Sequence, residues 1–368
     1  MGVPRYSPLD AFHRARAAKM ADFGGWEMPI EYPVASGGGV INEHTAVRER
    51  VGLFDVSHLG KVRVSGTGAK DFLNSMLTND LNRISAGRAQ YTMMCNESGG
   101  VVDDLIAYLI SDNEVFLVPN AANTSEVVRI LKSNAPKDIQ IEDCHEKYGV
   151  LALQGPLAAE TLLSIVSLPE LDYMSFLEIE LAGYSVIICR TGYTGEFGYE
   201  IIPKWSETES VWNLLLKAIA AKNGLVAGLG ARDTLRTEMC YPLHGHELSL
   251  EISPIQASAS WAVGWKKEKF LGRDRLLSER QSGPTRVLRA VRLTDRGVPR
   301  AEMEIYSKAG RLIGKTTSGT FSPTLKTGIA LALLDPSLEI GSEIDVDIRG
   351  KKVSAVIAPS PLVASHVK

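Results

Sequence analysis

From Val287 onward the chain carries six short apolar runs and no helix signal. The runs are VLRAVRL, EIYSKAG, LIGKTTSG, IALALL, EIDVDI and VSAVIA, punctuated by turn residues. That spacing predicts a separate all-β domain, a small barrel or a sandwich. Before about residue 275 helix and strand signals alternate instead. The join falls in KKEKFLGRDRLLSERQSGP (Lys266–Pro284), which ends in Ser-Gly-Pro and reads as a linker. A length of 368 residues fits two or three domains.

Charge narrows the function classes. Forty Lys and Arg against 43 Asp and Glu give a net charge of -3, without the basic excess a nucleic-acid binder needs. No stretch approaches the ~18 apolar residues of a membrane span. The first residues have no apolar core of a secretory signal, so a cytoplasmic protein is expected. Cys95, Cys144, Cys189 and Cys240 form no C-x-x-C pair and read as small core residues of a reduced protein.

Three helices are predicted in the first part. Ser206 to Glu209 (SETE) reads as a capping box, followed by the apolar stripe Val211, Leu214, Leu215 and Ile219 and a stop at Asn223-Gly224. A second follows Thr124, with Val127, Val128 and Leu131 on one face, and stops before Pro136. A third opens at Pro156 and carries Leu162 and Leu163. Asp103 to Asn120 reads as a β-hairpin, and Tyr184–Arg190 with Gly198–Pro203 as a strand pair joined by a glycine-rich loop.

Several clusters could carry chemistry. Asp103 and Asp104 are adjacent on a strand, so their side chains should point to opposite faces, one to a site or the core and the other to solvent. They are either solvated acids beside a turn or a single carboxylate acting on a bound amine. CRTGYTGEFGYE (Cys189–Glu200) holds three glycines, which permit close backbone approach to a ligand. Tyr193 could stack on a ring, and Glu200 could accept two hydrogen bonds from an amidine-like edge. A plain glycine-bearing hairpin would read the same way.

GLGARDTLRTE (Gly228–Glu238) contains a G-x-G, but Asp233 stands where a dinucleotide fingerprint needs its third glycine. It reads as a loop entering a helix, with Arg232 placed to hold an anion or carbonyl. Arg236 lies one turn on, or forms a surface ion pair with Asp233 or Glu238. His244, His246 and Glu247 lack a third close ligand, so no metal site is expected. Asp55, Ser57 and His58 are too close together for a hydrolase triad and read as turn hydrogen bonding. Trp26 and Trp261 have small neighbours that leave room for a flat ligand, or else they pack in the core.

Taken together, FGGWEMPIEY, NEHTAVRERVGLFDVSHLGK, LTNDL, ESGGVVDDLIAY, VPNAAN, LALQGP, RTGYTGEFGYEI, GLGARDTLRTEMCYPLHGHEL and TTSGTFSPTL run in the order of one family over nearly the whole chain. The chain resembles the T-proteins of the glycine cleavage system, the aminomethyltransferases, in their bacterial form. The resemblance implies an α+β fold of three domains in a cloverleaf around a central folate-binding hole, the last a β-barrel or jelly-roll-like domain. The expected division is residues 1–55 with 140–226, residues 56–139 with 227–275, and residues 276–368.

It also implies the reaction. A methylene carbon passes from the aminomethyl-lipoyl arm of H-protein to tetrahydrofolate, yielding 5,10-methylenetetrahydrofolate and ammonia. Glycine decarboxylase P-protein and dihydrolipoyl dehydrogenase would be functional associates. Carried over by motif, Asp104 is the key acid, and Asp103 is a structural or rim acid. Leu59, Tyr91, Val118, Asn120, Tyr193, Glu200, Arg232, Trp261 and Arg289 are the folate residues. Many members end in a Tyr that reaches the folate. Here Ser360 to Lys368 contains none, and His366 is not assigned its role. Relatives of the same fold include tetrahydrofolate-dependent demethylases and a non-catalytic folate-binding group. The latter is marked by a reactive cysteine where this chain reads Arg190 to Glu196 with no cysteine.

Overall fold

A computed structural model describes residues 4–368. Its two larger sheets are each buried on both faces, and strand alternation shows how. One is six-stranded, in the order Phe176–Leu181, Tyr184–Cys189, Gly198–Pro203, Leu151–Gln154, Gly52–Asp55, Leu225–Val226. The other is five-stranded, in the order Arg88–Cys95, Val101–Ser111, Glu114–Val118, Val62–Ser65, Gln140–Asp143. In the six-stranded sheet Leu53, Leu151, Leu153, Ile188 and Ile201 face one way, onto Trp212 and Leu215 of helix Thr208–Ala220. Their neighbours Phe54, Ala152, Cys189 and Ile202 face the other way. There they meet Ala89, Tyr108 and Phe116 from the five-stranded sheet. That sheet's alternate residues, among them Ala107, Leu109, Val115 and Leu117, pack under helices Ala69–Met76 and Thr124–Asn134. A period of two thus sends successive residues into different cores, and the two sheets share the middle one.

The last domain is a closed barrel. Its strands run in the order Val287–Leu293, Thr327–Leu334, Leu312–Ser322, Glu304–Ser307, Glu343–Ile348, Lys351–Ala358, and every pairing is antiparallel. Closure removes the exposed sheet edges. The run IALALL is apolar at every position because Ala330, Ala332 and Leu334 fill the barrel while Leu331 and Leu333 pack outward. Outside they join Met93, Val101, Phe270 and Leu276, which docks the barrel onto the rest of the chain.

Most predicted elements form, with four differences. The helix expected to be capped by Ser206 starts at Thr208, after a 3-10 turn at Trp205–Glu207. That turn moves the start, so the capping box is not made; the Asn223-Gly224 stop does form, with Asn223 at φ 53°. Leu163 is exposed, and Leu162 alone enters the core. The stretch expected to be a linker is largely a helix, Arg273–Ser282, anchored by buried Leu276. Strand Gln140–Asp143 pairs with Val62–Ser65, so the five-stranded sheet continues past the expected boundary at residue 139.

A buried polar knot also holds the barrel. The Glu238 carboxylate accepts hydrogen bonds from Arg48 and from Ser322 and Thr324 of the barrel, with His44 3.4 Å away. Burial alone would raise this carboxyl, but His44, Ser322 and Arg48 outweigh it and hold it at about 2, against an ordinary value of 4.5. A depressed acid contributes stability above its unfolded pKa and loses it as pH falls through the folded one. Glu238→Gln is expected to cost on the order of 3 kcal/mol near neutral pH. It should also flatten the loss of stability between about pH 4.5 and pH 2, read from denaturant melts across that range.

Candidate active site

The site begins on strand Val101–Ser111, at Asp103 and Asp104. Asp103 is buried and Asp104 partly so, and one residue reaches both. Asn120 follows the partner strand Glu114–Val118 and Pro119. Its Nδ2 donates to Asp103 Oδ1 at 2.9 Å and Asp104 Oδ1 at 2.8 Å, and its backbone N–H donates to Asp103 Oδ2 at 3.0 Å. Asn123 Nδ2 also donates to Asp103, at 2.7 Å, and the Tyr91 hydroxyl donates to Asp104 Oδ2 at 3.0 Å.

Asp103 is fully buried. Neither acid is the solvated turn residue considered above, and Asp103 is structural rather than on a rim. Burial pushes both carboxyls above the usual range, and for Asp103 the charge of Asp104 adds to it. Donation from Tyr91 and Asn120 pulls Asp104 back toward the ionised form.

The Tyr91 ring stacks on Trp261, with centroids 5.2 Å apart at 27°. Trp261 is 66% exposed, unlike Trp26, which is buried against His145. Both rings line a cavity of about 870 Å³ between the barrel and the rest of the chain, together with Tyr241, Leu331, Ile340 and Arg289. Arg289 stands on barrel strand Val287–Leu293, and its Nε is buried without a hydrogen-bond partner.

The second group comes from the six-stranded sheet and helix Leu229–Glu238. Glu200 is nearly buried and accepts from Thr191 Oγ1 at 2.5 Å. Arg232 lies 4.6 Å over the Tyr193 ring and feels the charge of Glu200. Among the described residues Arg232 makes no ion pair. Burial lowers its pKa, yet a guanidinium stays charged. The Tyr193 hydroxyl donates to the carbonyl of Pro242.

Leu59 and Val118 pack at the edge of the middle core. The turn bearing Leu59 is clamped from behind. Buried Lys61 donates to the carbonyls of Ser57 and Leu59 at 2.9 and 2.8 Å, and His145 bonds the carbonyl of His58 at 2.8 Å. Gly60 is required there, because a Cβ would sit 2.0 Å from Thr124 Oγ1.

Two other expectations change. The glycines of residues 192–198 approach protein rather than ligand: Gly192 and Gly198 close on the Gln154 amide, and Gly195 on Met239 Sδ. Arg236 is buried and bonds Asp233, Glu247 and Ser318, so it is no surface pair and Glu238 is not its partner. His244 and His246 bond the carbonyls of Val101 and Thr317. Among the described residues no group of His, Cys, Asp and Glu is placed to hold a metal ion. Asp55 accepts from the Ser57 backbone N–H, the turn bond expected of it, and also from Ser7 and His13, which lie outside the turn. Asn123, Thr191 and Pro242 were not singled out beforehand. Asn123 alone left a signal, a second amide three residues after Asn120 in VPNAAN.

Asn120→Ala strips the side-chain donor from both acids and leaves buried Asp103 with Asn123 and the backbone N–H of residue 120. It is expected to cost about 1–3 kcal/mol at pH 7. Denaturant melts check this, and unchanged stability would detach Asn120 from the carboxylates.

Residues 9–267 match the model of the GCVT N-terminal domain, and residues 286–363 match the glycine cleavage T-protein C-terminal barrel domain. The aminomethyltransferase of Parafrankia sp. is 54% identical over 365 residues, covering 99% of each chain. That of Mycobacterium avium is 52% identical over 361 residues, 98% of this chain and 97% of its own. The solved structure of glycine cleavage system aminomethyltransferase T from Bartonella henselae superposes with a TM-score of 0.91 at 32% identity, over 98% of this chain and 99% of that one. With both family models matched and this identity along its whole length, the chain belongs to the glycine cleavage T-proteins, and it is an aminomethyltransferase.

Proposed function

We propose that the substrates are tetrahydrofolate and the aminomethyl group carried on the lipoyl arm of H-protein. The carbon is bonded to a lipoyl sulfur and to an amine. It passes to N5 of the folate and closes onto N10 as ammonia leaves and the C–S bond breaks. The products are 5,10-methylenetetrahydrofolate, ammonia and dihydrolipoyl H-protein. The three domains would surround the folate, and the protein would work in the cytoplasm alongside P-protein and dihydrolipoyl dehydrogenase.

The observation that carries this reading is the Tyr91–Asp104–Asn120 constellation beside a cavity with stacked aromatic walls. A folate is a flat heteroaromatic with an amidine-like edge at one end and carboxylates at the other. Glu200 offers an acceptor for the edge, while Arg289, with its unpartnered Nε, offers a donor for a carboxylate. Positive charge develops on the one-carbon unit as ammonia departs, and an ionised Asp104 at low dielectric stabilises it. Donation from Tyr91 and Asn120 opposes the upward push of burial on that carboxylate and fixes its direction.

The test is a coupled assay with aminomethylated H-protein and tetrahydrofolate, following ammonia and 5,10-methylenetetrahydrofolate together. Equal yields of both are expected. Folate binding with neither product would move the donor to a methyl-sulfonium or N-methyl compound. Asp104→Asn keeps the shape and removes the charge, and should lower turnover by about 10²-fold with little change in folate affinity. Glu200→Gln sets an amide donor against the donors of the pterin edge. It should weaken folate binding by about 1–3 kcal/mol, read by direct titration.

A further inference from the structure

The chain past the last barrel strand returns across the molecule to the glycine-rich loop that carries Tyr193. Leu362 N–H donates to the Glu238 carbonyl at 2.9 Å, and His366 N–H to the Gly195 carbonyl at 2.7 Å. Arg190 Nη2 donates to the Val367 carbonyl at 2.6 Å. His366 Nδ1 lies 3.1 Å from Oε2 of Glu196, a buried carboxylate that also accepts from Arg48 at 2.9 Å. The tail therefore crosses the loop on both sides of Gly195. That glycine holds φ +83°, a conformation glycine adopts without strain. Two residues away Tyr193 carries Arg232 over its ring. No described hydrogen bond joins the tail to Tyr193 or Arg232 themselves.

We propose that Leu362–Val367 is a strap that sets the position of the Tyr193 loop, with His366 as its positioning residue. The tail contributes to folate binding indirectly, by holding the ring and the guanidinium on the far side of the loop. The inference rests on the reading of Tyr193 and Arg232 as folate residues.

The His366 side chain is 63% exposed, so replacing it opens no core. His366→Ala removes the contact with Glu196 and is expected to raise Kd and KM for tetrahydrofolate about threefold. His366→Pro removes the backbone donor to Gly195 as well, and about tenfold is expected. His366→Asn returns a donor near the Nδ1 position and should restore most of the affinity. In all three, kcat at saturating folate and the melting temperature should stay at the parent values, which separates positioning from chemistry and from folding. Tyr193→Ala is titrated in parallel. If it weakens folate binding while the His366 variants do not, the strap is wrong and the Tyr193 assignment stands. If Tyr193→Ala has no effect, both fall. A loss in His366→Ala that His366→Asn does not recover, or a fall in kcat at unchanged KM, also overturns the proposal.

Discussion

The arrangement of the molecule follows from the two-sided burial of its strands. Leu53 and Phe54 are neighbours in sequence, yet one supports the helix layer and the other the contact between sheets. The same division recurs at Leu151 and Ala152, at Ile201 and Ile202, and at Phe116 and Leu117. Register is then strongly specified, because a slip of one residue would exchange the two faces of a strand and unmatch two cores at once. A carboxylate such as Asp104 can be held within tenths of an ångström on such a strand, where a loop would leave it free to wander.

Buried polar groups do the joining that apolar contacts leave unspecified. Glu238 links helix Leu229–Glu238 and Arg48 to the barrel, and Arg236 links the same helix to Glu247 and Ser318. Both ion pairs are buried, where desolvation takes back much of the Coulomb gain. Their fixed geometry matters more than their net energy: a barrel docked by Leu331 and Leu333 alone could turn on its apolar face, whereas one whose serines must meet Glu238 and Arg236 could not. The cavity between the barrel and Trp261 inherits its shape from that docking.

Period-two and turn signals made the barrel strands and both hairpins legible in the sequence, because each is a local pattern with a local cause. Helix Arg273–Ser282 was not legible, since a single apolar residue, Leu276, anchors it. The false cap at Ser206 shows the opposite failure. The residues fit a capping box, but an added 3-10 turn moved the helix start by two positions. The glycines at 192, 195 and 198 were read correctly as places of close approach and wrongly as to what approaches. Only the fold brings Gln154 and Met239 there. Pairing Asp104 with Tyr91 needs the register of two strands, and pairing Arg232 with Tyr193 needs a helix placed against a distant loop. Motif resemblance named those four residues without giving their geometry.

The charges are also separated by sign. Asp104 lies with neutral donors, Tyr91 and Asn120, and no cation is bonded to it. Arg232 lies with a ring and a carboxylate set back behind Thr191. An Asp104–Arg232 ion pair would satisfy both groups and leave neither available to a substrate. Burying each without a bonded counter-ion has a cost: desolvation raises the Asp104 carboxyl and lowers the Arg232 guanidinium. On the proposed reading each group finds its partner in the bound molecule: the acid meets charge that develops during transfer, and the guanidinium meets the oxygen atoms of the folate. Ground-state strain of this kind is relieved by substrate and not by the protein, which is how a folded chain holds binding energy ready for the reaction.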